Sequence, residues 1–191
     1  MLKRVLDVAL VSLAAPVALP LIVFCAVLVR LSSPGPILFT QARLGRSGRP
    51  FRLFKFRSML HNAPERRNPD GSAYAGRDDG RVTRIGRFLR QTSLDELPQL
   101  FNILRGDMSF VGPRPDQTDQ LRFYAETEKR KLAVKPGLTG LAQISGRNGI
   151  SWQQRKALDI EYVSRRSLRL DLVILCKTIP YVLSGRDIHT R

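Results

Sequence analysis

The chain has 191 residues, 43% of them apolar, enough for one compact domain plus a further apolar segment. Its 32 Lys and Arg against 16 Asp and Glu leave a net charge of +16, so the expected partner is anionic: nucleic acid, phospholipid headgroups or phosphorylated substrates. Cys25, Cys176, His61 and His189 stand far apart, which argues against a disulfide framework, a zinc site or a Ser/His/Asp triad, so any metal should be oxygen-ligated.

Val8 to Val29 is a run of 22 residues without a charge, long enough for a helix to cross a bilayer. Pro16 and Pro20 each remove a backbone donor and crowd the carbonyl four residues earlier, so the helix is expected to break there. Basic residues flank both ends, Lys3 and Arg4 before and Arg30, Arg43 and Arg46 after, and basic flanks favour the cytoplasmic side. A straight span cannot satisfy both ends; a re-entrant hairpin that returns to the face it entered can.

Ser33-Pro34-Gly35-Pro36 punctuates the chain before Ile37–Thr40, a β-type run, and Phe51–Arg57 reads as a second strand across a glycine-containing loop. Residues 61–80 carry few large apolar side chains and read as a surface loop of lid-like length. A short helix is expected from Ile85 and another from Ser93 to Gly106, with Ser93 and Glu96 spaced as a capping box. Asp116–Lys131 and Trp152–Arg166 read as helices separated by a glycine-punctuated stretch. Leu168–Leu183 is apolar but interrupted by Asp171, Lys177 and Pro180, so it reads either as an interfacial helix or as an ordinary core helix.

Neither a P-loop nor a G-x-G-x-x-G occurs, so arginines must carry phosphate recognition. Arg90, Arg114 and Arg147 lie beside turn or helix-boundary residues, and their forked guanidiniums suit bidentate phosphate contact, although each taken singly reads as solvated surface charge. Asp95 and Glu96 cap a helix on local evidence, yet a helix N-terminus also suits a carboxylate nucleophile beside a phosphoryl group.

The stretches Phe39-Thr40-Gln41-Ala42-Arg43, Ser93 to Asn102, Arg105 to Pro115 and Lys135 to Gln143 closely resemble the bacterial sugar transferases called monotopic phosphoglycosyl transferases, over nearly the whole chain. The resemblance implies an α/β, mostly helical fold: a re-entrant membrane helix over 1–31, and over 32–191 a small cytoplasmic catalytic domain with a short β-hairpin and interfacial amphipathic helices. It implies transfer of a sugar 1-phosphate from a UDP-sugar to a polyprenol phosphate such as undecaprenyl phosphate, at the cytoplasmic face of the bacterial inner membrane, as the first membrane step of glycoconjugate assembly. By the same resemblance Asp95 attacks the sugar-linked phosphate, releasing UMP and leaving a covalent phosphosugar. Glu96, with Asp95, would help hold Mg²⁺, and Lys55, Arg90, Pro113, Arg114, Pro115, Arg147 and Asp159 fall where the family contacts the donor or shapes its site. Anionic membrane lipids are expected partners and nucleic acid is not; the oligomeric state is left open, a homodimer included. Where the family commonly has Ser-Pro at the membrane break, this chain has Leu19-Pro20. The competing reading is a membrane-tethered basic module that binds nucleic acid or anionic lipid, in which Asp95 and Glu96 merely cap a helix.

Overall fold

The structure, a computed structural model, describes residues 2–184 apart from 75 and 77; His189 and the last residues of the expected 32–191 unit lie outside them. Helix α1 (Leu2–Ser32) is long and apolar enough to cross a membrane. Its buried residues Asp7, Val11, Ala18, Cys25 and Val29 recur at spacings of four and seven, a single stripe, while Leu13, Val17, Val23, Phe24, Val27 and Leu31 are exposed. Pro16 and Pro20 lie inside this helix, which is one continuous element rather than two legs joined by a non-helical turn. Each proline removes a single donor, and the buried stripe continues past both, so packing holds the helix through them.

Both ends of α1 are tied to the rest of the chain by polar contacts. Near its start Lys3 pairs with Asp171, Arg4 donates to the carbonyls of Ile103 and Leu104, and Asp7 accepts from Ser109 Oγ at 2.9 Å and the Phe110 N–H at 3.0 Å. At its end the buried Arg57 donates to Val29 O (3.4 Å), Ser33 O (2.7 Å), Ser33 Oγ (2.7 Å), Pro34 O (2.9 Å) and Pro36 O (2.7 Å). The guanidinium thereby satisfies carbonyls that a helix C-terminus leaves without partners.

Strands β1 (Leu38–Leu44) and β2 (Pro50–Phe56) form the expected antiparallel hairpin, in register from Leu38 opposite Phe56 to Leu44 opposite Pro50. Helix α2 (Arg84–Gln91) starts at Thr83, whose hydroxyl accepts from the Gly86 N–H, and α3 (Gln99–Arg105) ends at Gly106 with φ 88°. The hairpin, α2 and α3 close on α1 through two apolar clusters. Leu53, Leu100, Ile103 and Met108 meet Val11 and Ala18; Phe56 and Leu89 meet Cys25 and Val29. Fully buried Asn102 stitches α3 to β2, donating to Arg52 O at 2.7 Å and accepting from the Phe54 N–H at 3.0 Å.

A second sheet pairs β3 (Ser109–Val111) with β4 (Gly137–Thr139) in parallel. A Cβ on Gly137 would lie 2.1 Å from Gly112 N, so only glycine lets the two backbones approach this closely. The helix expected over 116–131 is instead two 3₁₀ stretches, Thr118–Phe123 and Glu126–Ala133, because the backbone is extended at Tyr124 and Ala125 and a new start forms where Ala125 N–H meets the Glu128 carboxylate. Helices α4 (Leu141–Ile144) and α5 (Trp152–Arg165) follow, α5 opening with a Ser151–Gln154 capping box. In α6 (Leu168–Leu183) Ile174 is buried while Leu172, Val173 and Ile179 are exposed, which is not the pattern of an ordinary core helix.

Candidate active site

Between α2 and α3 the sequence Leu94-Asp95-Glu96-Leu97 forms a 3₁₀ turn over Leu94–Glu96 whose two leucines pack beneath α1 with Phe56 and Leu89. That anchoring presents Asp95 and Glu96 to the other side, where both are over nine-tenths buried in a cavity of about 540 Å³. The expected capping box does not form. Ser93 adopts φ 59°, which takes its hydroxyl away from the turn's amides, and the α-helix begins only at Gln99, after Pro98. Ser93 Oγ instead accepts from Arg147 at 3.1 Å, and the reading in which the two carboxylates merely cap a helix loses its basis.

Glu96 Oε1 receives Lys55 Nζ at 2.6 Å and Arg114 at 3.1 Å. Lys55 Nζ stands 3.7 Å from Asp95 Oδ2, beyond hydrogen-bond distance. The two carboxyls are pushed apart in acidity. Burial raises Asp95, with Glu96 adding to it and Lys55, Arg90 and Arg114 opposing, so it lies above the ordinary aspartate range. Burial would raise Glu96 as well, but Lys55, Arg114 and Arg147 hold it well below the ordinary glutamate range. One carboxylate is thus locked into ion pairs, while its neighbour is more basic and less tightly engaged, a division that suits one for holding charge and the other for attack.

Of the nine expected site residues, Lys55, Arg90, Asp95, Glu96, Arg114, Pro115 and Arg147 line this cavity. Arg90 is held there by Ser58, to whose hydroxyl it donates at 2.9 Å. Pro113 and Asp159 do not line it. Pro113 O accepts from the Gly137 N–H at 2.9 Å, fastening the loop to β4. Asp159, 2% exposed, faces the back of that loop: it accepts from the Arg114 N–H at 3.4 Å and pairs with Lys131 at 2.9 Å. Lys131, itself buried, also holds Asp116 at 2.7 Å, and Tyr124 donates to the same carboxylate. A buried cation between two carboxylates therefore clamps Arg114 and Asp116 from behind, which makes Asp159 a positioning residue rather than a donor contact.

Arg43, Gln143, Trp152 and Arg155 line the cavity too, although the sequence singled out none of them as a site residue. Burial lowers the Arg43 guanidinium to about 10, with nearby Arg114 contributing. Among the described residues, the buried side-chain polar atoms without a partner are Arg43 Nε, both amide atoms of Gln143, one guanidinium nitrogen of Arg147, Trp152 Nε1 and Arg155 Nε, and every one belongs to a residue of this cavity. An unpaired buried donor costs about 1–3 kcal/mol, so such a concentration marks a surface built for an acceptor-rich ligand. All but the Gln143 oxygen are donors, as phosphates and sugar hydroxyls require.

The family model described as bacterial sugar transferase matches residues 1–185. The chain is 44% identical to the uncharacterized sugar transferase EpsL of Bacillus subtilis, over 98% of this chain and 90% of that protein. It is 46% identical to the UDP-glucose:undecaprenyl-phosphate glucose-1-phosphate transferase of Caulobacter vibrioides, over 95% of this chain and 70% of that protein. It is 42% identical to the undecaprenyl-phosphate galactose phosphotransferase of Salmonella typhimurium, over 95% of this chain and 40% of that longer protein. The carboxylate pair, the cationic cavity around it and these whole-length likenesses agree, and the chain belongs to the bacterial sugar transferase family.

Proposed function

We propose that this protein transfers a sugar 1-phosphate from a UDP-sugar to undecaprenyl phosphate through a covalent intermediate on Asp95. The observation that carries the reading is the pair of buried, adjacent carboxyls of unequal acidity in a cavity where Arg43, Lys55, Arg90, Arg114, Arg147 and Arg155 and the unpaired donors also converge. Arg90, Arg114 and Arg147 bind the donor diphosphate, and Lys55 keeps both carboxyls ionised beside it. An Asp95 oxygen attacks the sugar-linked phosphorus and the diphosphate P–O bond breaks, so UMP leaves with the electron pair. A phosphate oxygen of the lipid then attacks the same phosphorus, the bond to Asp95 breaks, and the carboxylate is regenerated. The chemistry divides one transfer between two substrates that use the cavity in turn.

Mg²⁺ fits the residues present. Among the described residues no cluster of three or more His, Cys, Asp or Glu could hold a metal alone, but Asp95 and Glu96 supply two hard oxygen donors of the kind that hold Mg²⁺ together with substrate phosphates. When bound there, the ion offsets phosphate charge.

For the membrane we propose that α1, helical throughout but bent where Pro16 and Pro20 each remove a backbone donor, enters and returns to the cytoplasmic face of the inner membrane. Support comes from its two ends, both fastened to one catalytic unit, by Lys3, Arg4 and Asp7 at the start and by Arg57 at the finish. Exposed apolar residues on α6, beside Arg165, Arg166 and Arg169, suit an anionic lipid surface. Donor labelled in its sugar-linked phosphate, incubated without lipid acceptor, is expected to leave label on the wild type with release of UMP, and none on Asp95→Asn. An unlabelled wild type, or equal labelling of the variant, overturns the mechanism. Accessibility of Lys3 from the periplasm alone overturns the topology.

A further inference from the structure

Three large apolar side chains remain at the rim of the catalytic cavity: Leu38 is 40% exposed, Phe39 47% and Leu60 52%. They stand among cations and carboxylates, and beyond a base ring that could stack on Phe39 a nucleotide sugar offers nothing to the aliphatic Leu38 and Leu60. Phe39 lies directly opposite Lys55 in the hairpin register, and paired residues project from the same face of a sheet with Cβ atoms about 5 Å apart. Lys55 in turn reaches Asp95 and Glu96. The rim therefore adjoins the reacting carboxyl, separated from it by one lysine.

Its other border is the foot of α1. Strand β1 begins just beyond Pro36, whose carbonyl Arg57 holds at 2.7 Å, and Pro36 also lines the cavity. Exposed apolar residues therefore stand both at the end of α1, where Val27 and Leu31 are exposed, and at the rim of a cavity lined by cations, where Leu38, Phe39 and Leu60 are. Exposed apolar side chains beside a phosphate-binding pocket suit an amphiphile with an apolar chain and a phosphate head.

We infer that Leu38, Phe39 and Leu60 form the docking groove for the isoprenoid chain of the lipid phosphate, laying its first units against β1 while the headgroup reaches Asp95. This rests on the proposed acceptor and adds where its chain lies. The layout gives each substrate its own surface: the chain occupies the rim and the donor's diphosphate the cationic interior.

The test begins with enzyme, wild type or variant, already carrying the labelled phosphosugar, and measures transfer of label to a long-chain polyprenyl phosphate and to a short water-soluble alkyl phosphate that has no isoprene unit. In Phe39→Ser and Leu60→Ser, transfer to the long chain is expected to fall about tenfold, the size expected for losing one buried apolar contact, while transfer to the short acceptor changes less than twofold. Equal slowing with both acceptors, no slowing with either, or loss of the variants from lipid vesicles in a flotation assay overturns the groove. A long-chain isoprenyl phosphate carrying a diazirine on its first units gives a readout independent of the covalent step. It is expected to crosslink to residues 38, 39 and 60. Crosslinking elsewhere refutes the groove even if the enzyme labels normally, whereas crosslinking there without any enzyme labelling refutes only the covalent mechanism.

Discussion

Arg57→Met removes the guanidinium on which the end of α1 converges. In the wild type five hydrogen bonds reach four carbonyls and one hydroxyl from a single buried side chain. Pro34 and Pro36 are exposed and regain water when the arginine is lost, so their carbonyls cost little. Val29 is fully buried, but its carbonyl keeps the Ser32 hydroxyl at 3.0 Å, so the acceptor left without a partner is the carbonyl of half-buried Ser33. At about 1–3 kcal/mol for that stranded acceptor, together with the lost interaction of a cation with the helix C-terminus, the variant should lose about 2–4 kcal/mol. For a chain of this size that corresponds to a fall in melting temperature of roughly 10 °C. Arg57→Lys, whose ammonium reaches fewer acceptors, should fall about halfway. The assay is thermal unfolding of the purified protein in one detergent, followed by circular dichroism. A fall of under about 3 °C for Arg57→Met, or no difference between the two variants, would show that water replaces the arginine and that the foot of α1 is not held by it.

Lys55→Met should move the acid limb of the pH–activity profile upward, because removing the ammonium makes both carboxyls harder to ionise and the nucleophilic form of Asp95 is then lost at a higher pH; a limb that stays put or moves down contradicts the assignment. Lys131→Met leaves Asp116 and Asp159 facing one another without their shared cation, and a loss of about 3–5 kcal/mol in denaturant unfolding is expected, largely relieved in Lys131→Met/Asp159→Asn. The same carboxylate gives a pH signature: burial opposes Asp116 ionisation but Lys131 and Tyr124 hold its carboxyl below the ordinary range, so its contribution is present above the unfolded pKa of about 3.9 and is lost as pH falls through the folded value. Gly86→Ala would bring a Cβ to 1.9 Å from Ser58 O, forcing α2 off the segment just after β2; a loss of at least about 2 kcal/mol in thermal unfolding should result, and unchanged stability would mean the two segments separate freely.

The hairpin and α6 were readable because their signals are local: alternating apolar residues for the strands, and for α6 a serine cap before a long apolar run. The start of α3 was misread for an equally local reason. Ser93 and Glu96 have capping-box spacing, but Pro98, which cannot sit inside a helix without losing a bond, was the stronger marker of where the helix begins. The parallel pairing of β3 with β4 left no such trace, since three-residue strands far apart in sequence pair through the close approach of Gly112 and Gly137. Asp95, Glu96 and Arg114 stand out within the family motifs, and Lys55 through the resemblance as a whole. Arg43 and Gln143 end two of those motifs and Trp152 and Arg155 lie in none, yet none of the four reads as a site residue, because what distinguishes them is convergence: β1, α4 and α5 bring unpaired polar atoms to one wall, and no spacing within any one element encodes that. The resemblance puts Asp159 among the donor- or phosphate-contacting groups, whereas the structure holds it behind the Arg114 loop, an arrangement that depends on Lys131, which belongs to no motif.

Clamping α1 at both ends makes the membrane helix and the catalytic carboxyls parts of one rigid lever. With 1.5 Å of rise per residue, sinking the helix by a single turn would carry Asp95 about 5 Å with it, roughly the thickness of a phosphate group. With α1 in the bilayer as proposed, the enzyme would work as a depth gauge: bilayer thickness and lateral pressure would set how high Asp95 rides above the lipid surface, and membranes of different composition should change turnover while leaving the cavity unaltered.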